Sequence, residues 1–404
     1  MKLKIGTTII FLAISVLTLA QEYTQTVKGT VMDGDTQTTL PGVTVMLLNS
    51  DPLIGAATDF DGNFEIQNVP VGRHSFRLSF VGYEDLVFNE VAVTSGKELV
   101  LNAKMYESVS KMEEVVIIGT IDKSEPINSM TSISAHQLTV ESTARIAAGV
   151  NDPGRTIQSY AGVSSVDDEN NEIVVRGNSP RGMLWRMEGV EIPNPNHFNN
   201  GEGGSGGGVS ALSTTVLDNS DFLTGAFPAE YGNALSSVFD LKLRTGNNDA
   251  REYSFQAGVM GIQAGLEGPF KKDGKASYLV NYRYATTSLL NNLGFSIGDS
   301  DIFPEWQDLS YNINLPTKKA GRFNIWGLNG ISSAADVAIA DSSLWEYRGD
   351  TYNYSEKHML SIAGLTHNFL FKNNNSYITT TLAHAVSNTK TLEDSLDYSY
   401  VPRL

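Results

Sequence analysis

The sequence contains no cysteine in 404 residues. That excludes a disulfide framework, a thiolate metal site, a cysteine nucleophile and lipid attachment of an exported chain through an N-terminal cysteine. Basic residues are scarce: 29 Lys and Arg stand against 45 Asp and Glu, for a net charge of −16. A nucleic-acid partner needs a basic stripe, so none is expected. Long apolar runs are missing too. Beyond the first 20 residues nothing approaches the ~18 consecutive apolar residues of a spanning helix. The mature chain is then a secreted protein or one that crosses a membrane with strands.

What is present begins with an export signal. In residues 1–20, Lys2 and Lys4 precede an apolar stretch over 9–19, and Thr18-Leu19-Ala20 supplies small residues for cleavage. This reads as a signal peptide, because the stretch is shorter than the ~20 residues a bilayer span requires. Residues 21–108 alternate apolar and polar positions in short runs, broken by Gly34, Pro41-Gly42 and Asp61-Gly62. The pattern predicts a β-sandwich of about seven strands, with Asp61-Gly62 as a tight hairpin turn. Asp59, Asp61 and Asn63 carry calcium-loop residue types, but no glutamate stands at the twelfth position, and a solvated turn is expected. The strings VKGTVMDGDTQTTLPGVTVMLL and TDFDGNFEIQNVPVGRHSFRLSFVGYED resemble the carboxypeptidase-regulatory-like domain at the N-terminus of many Bacteroidetes outer-membrane receptors.

Residues 109–132 read as a linker holding one β-branched run: Glu113, Glu114, Val115, Val116, Ile117, Ile118 and Gly119. Taken alone the run is an ordinary strand. In this position it resembles a TonB box, the segment by which such receptors pair, as an added strand, with the TonB complex of the inner membrane. Strand addition suits an extended segment of high β-propensity, because main-chain hydrogen bonds supply the affinity.

Residues 133–246 predict a small mixed α/β domain with long loops: a short helix over 139–148, another entered at 151–158, and strands over 172–177, 183–187, 216–223 and 237–243. The strings DPGRTIQSYAGV, IVVRGNSPRGMLWRMEGVEIPNPNHF and FLTGAFPAEYGNALSSVFDLKLRTG resemble, in order and spacing, the plug domain of TonB-dependent receptors. Glu188-Gly189 replaces the usual Asp-Gly and keeps a carboxylate. A longer acidic-lysine-alanine segment before Tyr231-Gly232, usual in receptors of the glycan-utilisation type, is missing. The resemblance implies a gate inside a barrel lumen, with Arg176, Gly177, Arg186, Glu188 and Gly189 as lumen or gating positions and the two arginines paired with lumen carboxylates. Asn196, His197, Phe198 and Asn199, ahead of the glycine-rich 201–208, are the candidate ligand loop.

From position 247 to 404 period-two alternation returns. Tyr278, Val280, Tyr282 and Tyr284 alternate with Leu279, Asn281, Arg283 and Ala285, as in a strand between lipid and lumen. Similar runs lie at 253–267, 322–328, 360–371 and 377–386. Five or six strands of an antiparallel transmembrane β-barrel are expected. A plugged barrel has ~22 strands, and at ~10 residues each plus loops it needs more than ~400 residues, so the barrel is expected to be incomplete in this chain.

Catalytic motifs fail on context. Gly203-Gly204-Ser205-Gly206-Gly207 fits the nucleophile-elbow spacing but follows a Gly/Asn loop instead of a strand. Gly201, Gly203 and Gly206 match dinucleotide spacing with the same defect. The six histidines form no zinc-peptidase pair. Asp167-Asp168-Glu169 reads as a solvated turn. No catalytic residue, metal or cofactor is expected. The resemblance implies an outer-membrane receptor in contact with outer-membrane lipid, its plug and N-terminal domain on the periplasmic side, taking up a siderophore, glycan, peptide or other small-molecule cargo. A secreted β-domain adhesion protein is the alternative.

Overall fold

The computed structural model describes residues 23–107 and 134–403, apart from 35, 37, 141–142, 144–145, 147–150, 167–169, 200–203, 259–260, 273, 286–303, 340, 347, 372–375 and 397–401. The signal peptide and the run 113–119 lie outside the described residues, as does most of the helix expected over 139–148. Among the described residues regular structure is almost entirely strand, and the chain divides into two compact units, 1–121 and 122–404. Among the described residues no helix is long and apolar enough to cross a membrane.

The first unit is a two-sheet sandwich built from β1 (Thr24–Asp33), β2 (Thr44–Leu47), β3 (Gly55–Ala57), β4 (Asn63–Pro70), β5 (Gly72–Ser79), β6 (Leu86–Val93), β7 (Leu99–Val100) and β8 (Ala103–Met105). One sheet runs β4-β1-β7, with β8 also on β1, and the other β3-β2-β5-β6. Alternation along β4 buries Phe64 and Ile66, and β5 adds Phe76 and Leu78 to the same core. The expected hairpin at Asp61-Gly62 is not one. The turn is tight, with Gly62 in the left-handed region at φ 76°, but β3 and β4 belong to opposite sheets. Asp59 Oδ1 accepts from the N–H groups of Asp61 and Asn63 at 2.9 and 2.8 Å. The side chain that resembled a calcium ligand closes the crossover turn, as aspartate commonly does.

The second unit contains two sheets of more than two strands. The smaller, mixed one has β12 (Met183–Met187) and β17 (Ser237–Leu241) side by side in parallel. β13 (Val190–Glu191), β16 (Ser220–Leu223) and β9 (Ala135–Leu138) add antiparallel strands, in the order β13-β12-β17-β16-β9. β16 and β17 are buried along their whole length, so sheet faces are covered on both sides. Trp185 stacks on Phe239 at 5.2 Å, and Phe222 meets Phe239 edge-on at 5.5 Å. Helix α1 (Pro153–Ile157) is capped by Asp152, with proline in its first turn. Two short pairs, β10 (Val163–Ser164) with β11 (Val174–Val175) and β14 (Asn196–His197) with β15 (Val209–Ser210), complete this mixed domain.

The larger sheet is an antiparallel meander of eight strands, each paired to the next in sequence. They are β18 (Glu252–Gly258), β19 (Gly261–Pro269), β20 (Ser277–Tyr284), β21 (Glu305–Pro316), β22 (Arg322–Asp336), β23 (Tyr352–Leu370), β24 (Tyr377–Leu396) and β25 (Pro402–Arg403). The run expected over 253–267 is a hairpin of two strands, because Gly258 and Gly261 face each other across its tip. β21 is a strand where none was expected.

The faces of the meander are inverted relative to a soluble sheet. Tyr282, Leu309, Ile331, Met359, Leu365 and Leu382 point outward and are exposed, Leu382 by 75%. Asn281, Asp308, Ser310, Asn312 and Ser332 occupy the alternate positions and are buried, Asn281 completely. Cross-strand register keeps each set on one side: Ile325 stands opposite both Ile313 and Leu365, and Leu365 opposite Leu382.

Candidate functional site

The inner face of the meander meets the mixed domain along a seam that is apolar in one part and polar in another. In the apolar part, Trp326, Leu328, Leu360 and Ile362 of β22 and β23 share a core with Ile157, Met187, Leu212 and Phe239. Trp326 is fully buried, and its indole N–H donates to Thr366 at 3.1 Å.

The polar part is organised by the segment expected to be a ligand loop. Asn196, His197 and Asn199 are all buried, His197 to 1% exposure. His197 Nε2 lies 3.1 Å from Asp308 Oδ2, and Arg283 grips both carboxylate oxygens of Asp308 at 2.7–3.1 Å. Arg283 also donates to the Ser210 carbonyl at 2.6 Å and lies over Trp306, which packs against the His197 ring at 5.4 Å. A charged pair removed from water is sustained only with this degree of saturation. Gly330 on β22 leaves the slot for His197: a Cβ there would stand 2.8 Å from the imidazole Cε1. Asn199 donates to His358 Nε2 at 3.0 Å and accepts from Thr389 at 3.3 Å. Phe198, with φ 54°, turns the chain between these two contacts, and its N–H reaches Ser332.

The Asn/Gly loop behind this segment is held by its own amides. Asn171 donates to Asp152 and Asn196 and accepts from the Gly207 N–H at 2.8 Å. Asn194 donates to the carbonyls of Gly204 and Gly206, and Ser205 bonds the backbone of Ile173. Gly207 has no room for a side chain, since a Cβ would lie 2.4 Å from the His197 carbonyl.

Asp152 anchors the far end, accepting from the Gly154 N–H at 2.8 Å and from Asn171 at 2.7 Å. Burial pushes its carboxyl above the ordinary 3.8, against the lowering pull of Asn171, Gly154 and Arg155. With the folded-state value above the unfolded one, the stability Asp152 contributes through this shift is complete below 3.8 and declines as pH rises through the raised value. Asp152→Ala should cost about 1–3 kcal/mol through the lost cap and the stranded Asn171 amide. The gap from wild type should narrow as pH rises from acid to neutral in urea titrations. A gap that widens would contradict the burial-dominated shift.

The residues expected to gate make their contacts within the mixed domain. Arg186 pairs with Glu230 at 3.2 Å and lies over Tyr231, and Arg176 donates to Ser134 at 3.0 Å. In both cases the bond runs to the mixed domain and not to a meander carboxylate. Arg176-Gly177 and Glu188-Gly189 each place two successive residues at positive φ. The second pair is the turn of the β12–β13 hairpin, which demands that conformation. Glu188 also accepts from the Leu243 N–H at 2.7 Å. Arg244 reaches the meander, bidentate on Glu267 at 2.7 and 2.8 Å, while Arg283–Asp308 joins β20 to β21 within it. Arg283 stood in the alternating run already read as a strand. Asp308 lay in the strand that was not read. Among the described residues no group of three or more His, Asp or Glu is placed to hold a metal ion.

Residues 27–117 match the CarboxypepD_reg-like domain. That domain covers the whole described sandwich from Val27 onward and runs past Glu107. No curated protein matches the chain. Among solved structures, the siderophore receptor PirA from Pseudomonas aeruginosa aligns at 15% identity over 65% of this chain and 43% of its own, with a TM-score of 0.40. The pyoverdine outer membrane receptor FpvA from Pseudomonas aeruginosa PAO1 aligns at 12% identity over 61% of this chain and 36% of its own, with a TM-score of 0.42. A cohesin–X-dockerin complex from Acetivibrio cellulolyticus aligns over 20% of this chain and 58% of its own, at 23% identity and a TM-score of 0.18. The chain thus spans less than two thirds of each of these structures.

Proposed function

We propose that this chain forms the N-terminal part of a TonB-dependent outer-membrane receptor, in which the mixed domain plugs a barrel whose wall includes the meander. The observation that carries this reading is the inverted sheet. A face bearing exposed Tyr253, Phe255, Ile331 and Leu382 is costly in water, and a sandwich would bury it. In a bilayer the same face is solvated by lipid, and the polar alternate face lines the lumen, where Arg283, Asp308 and Asn281 are found. The motif strings of the mixed domain and the CarboxypepD_reg-like match support the same assignment.

On this reading no covalent chemistry is performed. The mixed domain blocks the lumen, and the segment 113–119 adds as a strand to the TonB complex, which draws on it to open a path for a scarce or large nutrient. The His197 segment is then a seat of the plug on the wall. Arg186, Glu188 and Gly189 shape the sheet that such a pull would have to rearrange.

The full-length protein should fractionate with outer membranes and migrate faster on gels before boiling than after. Free release into the medium would refute the barrel reading. Deleting residues 113–119 should abolish energy-dependent uptake while leaving heat-modifiable migration intact. Unchanged uptake would remove the role given to that segment.

A further inference from the structure

The two rims of the meander carry opposite charge. The connections 270–276 and 317–321 lie at one rim, since Ser277 pairs with Asn314 and Pro316 with Arg322. Their sequences hold Lys271, Lys272, Lys275, Lys318 and Lys319 against the single acid Asp273. The connection 337–351 lies at the other rim, since Asp336 pairs with Tyr354, and its sequence holds Asp341, Glu346 and Asp350 against the single base Arg348. In a chain of net charge −16, such a lysine collar runs against the overall balance. Lys271, Lys272, Lys318 and Lys319 are exposed.

The collar adjoins an aromatic row on the outward face. Phe323 stacks on His367 at 4.3 Å, His367 approaches Phe369 at 6.2 Å, and Phe369 meets Phe371 edge-on at 5.2 Å. Phe270 packs on Tyr278 at 5.2 Å. Rings of this kind mark the level where hydrocarbon gives way to headgroups. The lysines stand in the turns immediately beyond them.

We propose that this rim is a docking surface for anionic phospholipid headgroups. The proposal rests on the barrel reading and adds a partner to it. Three features select a lipid leaflet over a soluble anion. The collar continues the apolar face without a break. The turns β19–β20 and β21–β22 are two strand spacings apart, about 10 Å, too far for their lysines to converge on one small phosphate. Long lysine stems lie along apolar surface while their ammonium groups reach the headgroup plane. The surface potential of anionic lipid then holds the short-turn rim at a fixed depth, with a gain of about fivefold in binding per lysine.

The test reconstitutes the full-length protein in phosphatidylcholine nanodiscs with graded phosphatidylglycerol. Lipids retained after detergent exchange are counted by native mass spectrometry. Wild type should retain phosphatidylglycerol over phosphatidylcholine, and the preference should weaken as salt shortens the screening length. The quadruple variant K271Q/K272Q/K318Q/K319Q should lose most of that preference, and the corresponding four Lys→Arg changes should keep it. Heat-modifiable migration of each variant checks that the barrel has formed. Equal phosphatidylglycerol retention by wild type and the glutamine variant, both heat-modifiable, overturns the collar while leaving the barrel reading intact. Failure of wild type to insert into neutral or anionic bilayers overturns both.

Discussion

Asp308→Ala should destabilise the seat of the mixed domain by about 3–5 kcal/mol, the range for stripping one partner from a buried charge pair. Asp308 is 2% exposed, and its carboxylate neutralises Arg283 while accepting the contact from His197. Truncation leaves a guanidinium in the seam with only the Ser210 carbonyl and the Trp306 ring. The cost is therefore dominated by the stranded charge, not by the contact energy of the pair. Arg283→Leu with Asp308→Leu together should cost much less than Asp308→Ala, since the double change leaves no lone charge. A cycle with His197→Ala separates the histidine's share, and residues this close should couple by roughly 0.5–3 kcal/mol. Urea midpoints of the refolded full-length protein would read all four. A loss below about 1 kcal/mol for Asp308→Ala would mean that water reaches the pair.

The second large effect belongs to Trp326. Trp326→Ala should cost about 3–5 kcal/mol, the range for a large aromatic removed from a close-packed core. The indole fills the space over Gly364, where a Cβ would stand 2.2 Å from its Cζ2. Gly364→Val should therefore be about as damaging as the deletion, from the opposite cause of overpacking. The double variant Trp326→Ala with Gly364→Val should recover part of the loss, since the new side chain enters the vacated volume. Additive losses would show that the two residues do not share one cavity.

How much of this was legible in the sequence differs from element to element, for physical reasons. β12 was read to the residue, because 183–187 is bounded by a turn pair whose chemistry is local. β20 was readable because its outward residues are tyrosine and valine while its inward ones include Asn281 and Arg283. β21 has the same alternation, but Asn312, Asn314 and Pro316 give it the composition of a loop. On its polar face, Asp308 and Asn312 bond residues distant in sequence, His197 and Arg244, which no local pattern reports. The same holds for the site. His197 and Asn199 were singled out for their residue types, and the contacts that bury them come from β21, β23 and β24. A glycine-rich segment reads as slack from sequence alone. Gly207 is instead a place where backbones touch, and only the surrounding chain reveals that.

The strand order β13-β12-β17-β16-β9 puts the first strand of the mixed domain at an edge. β9 is held by four residue pairs to β16 and by one deeply buried side chain, Leu138. The central parallel pair β12–β17 takes no hydrogen bond from it. β9 is the first described strand after the linker, and edge strands with few buried contacts open at the low end of a domain's stability range. In mechanical terms β9 is a tear strip: it can peel from β16 while the four strands behind it keep their ladder.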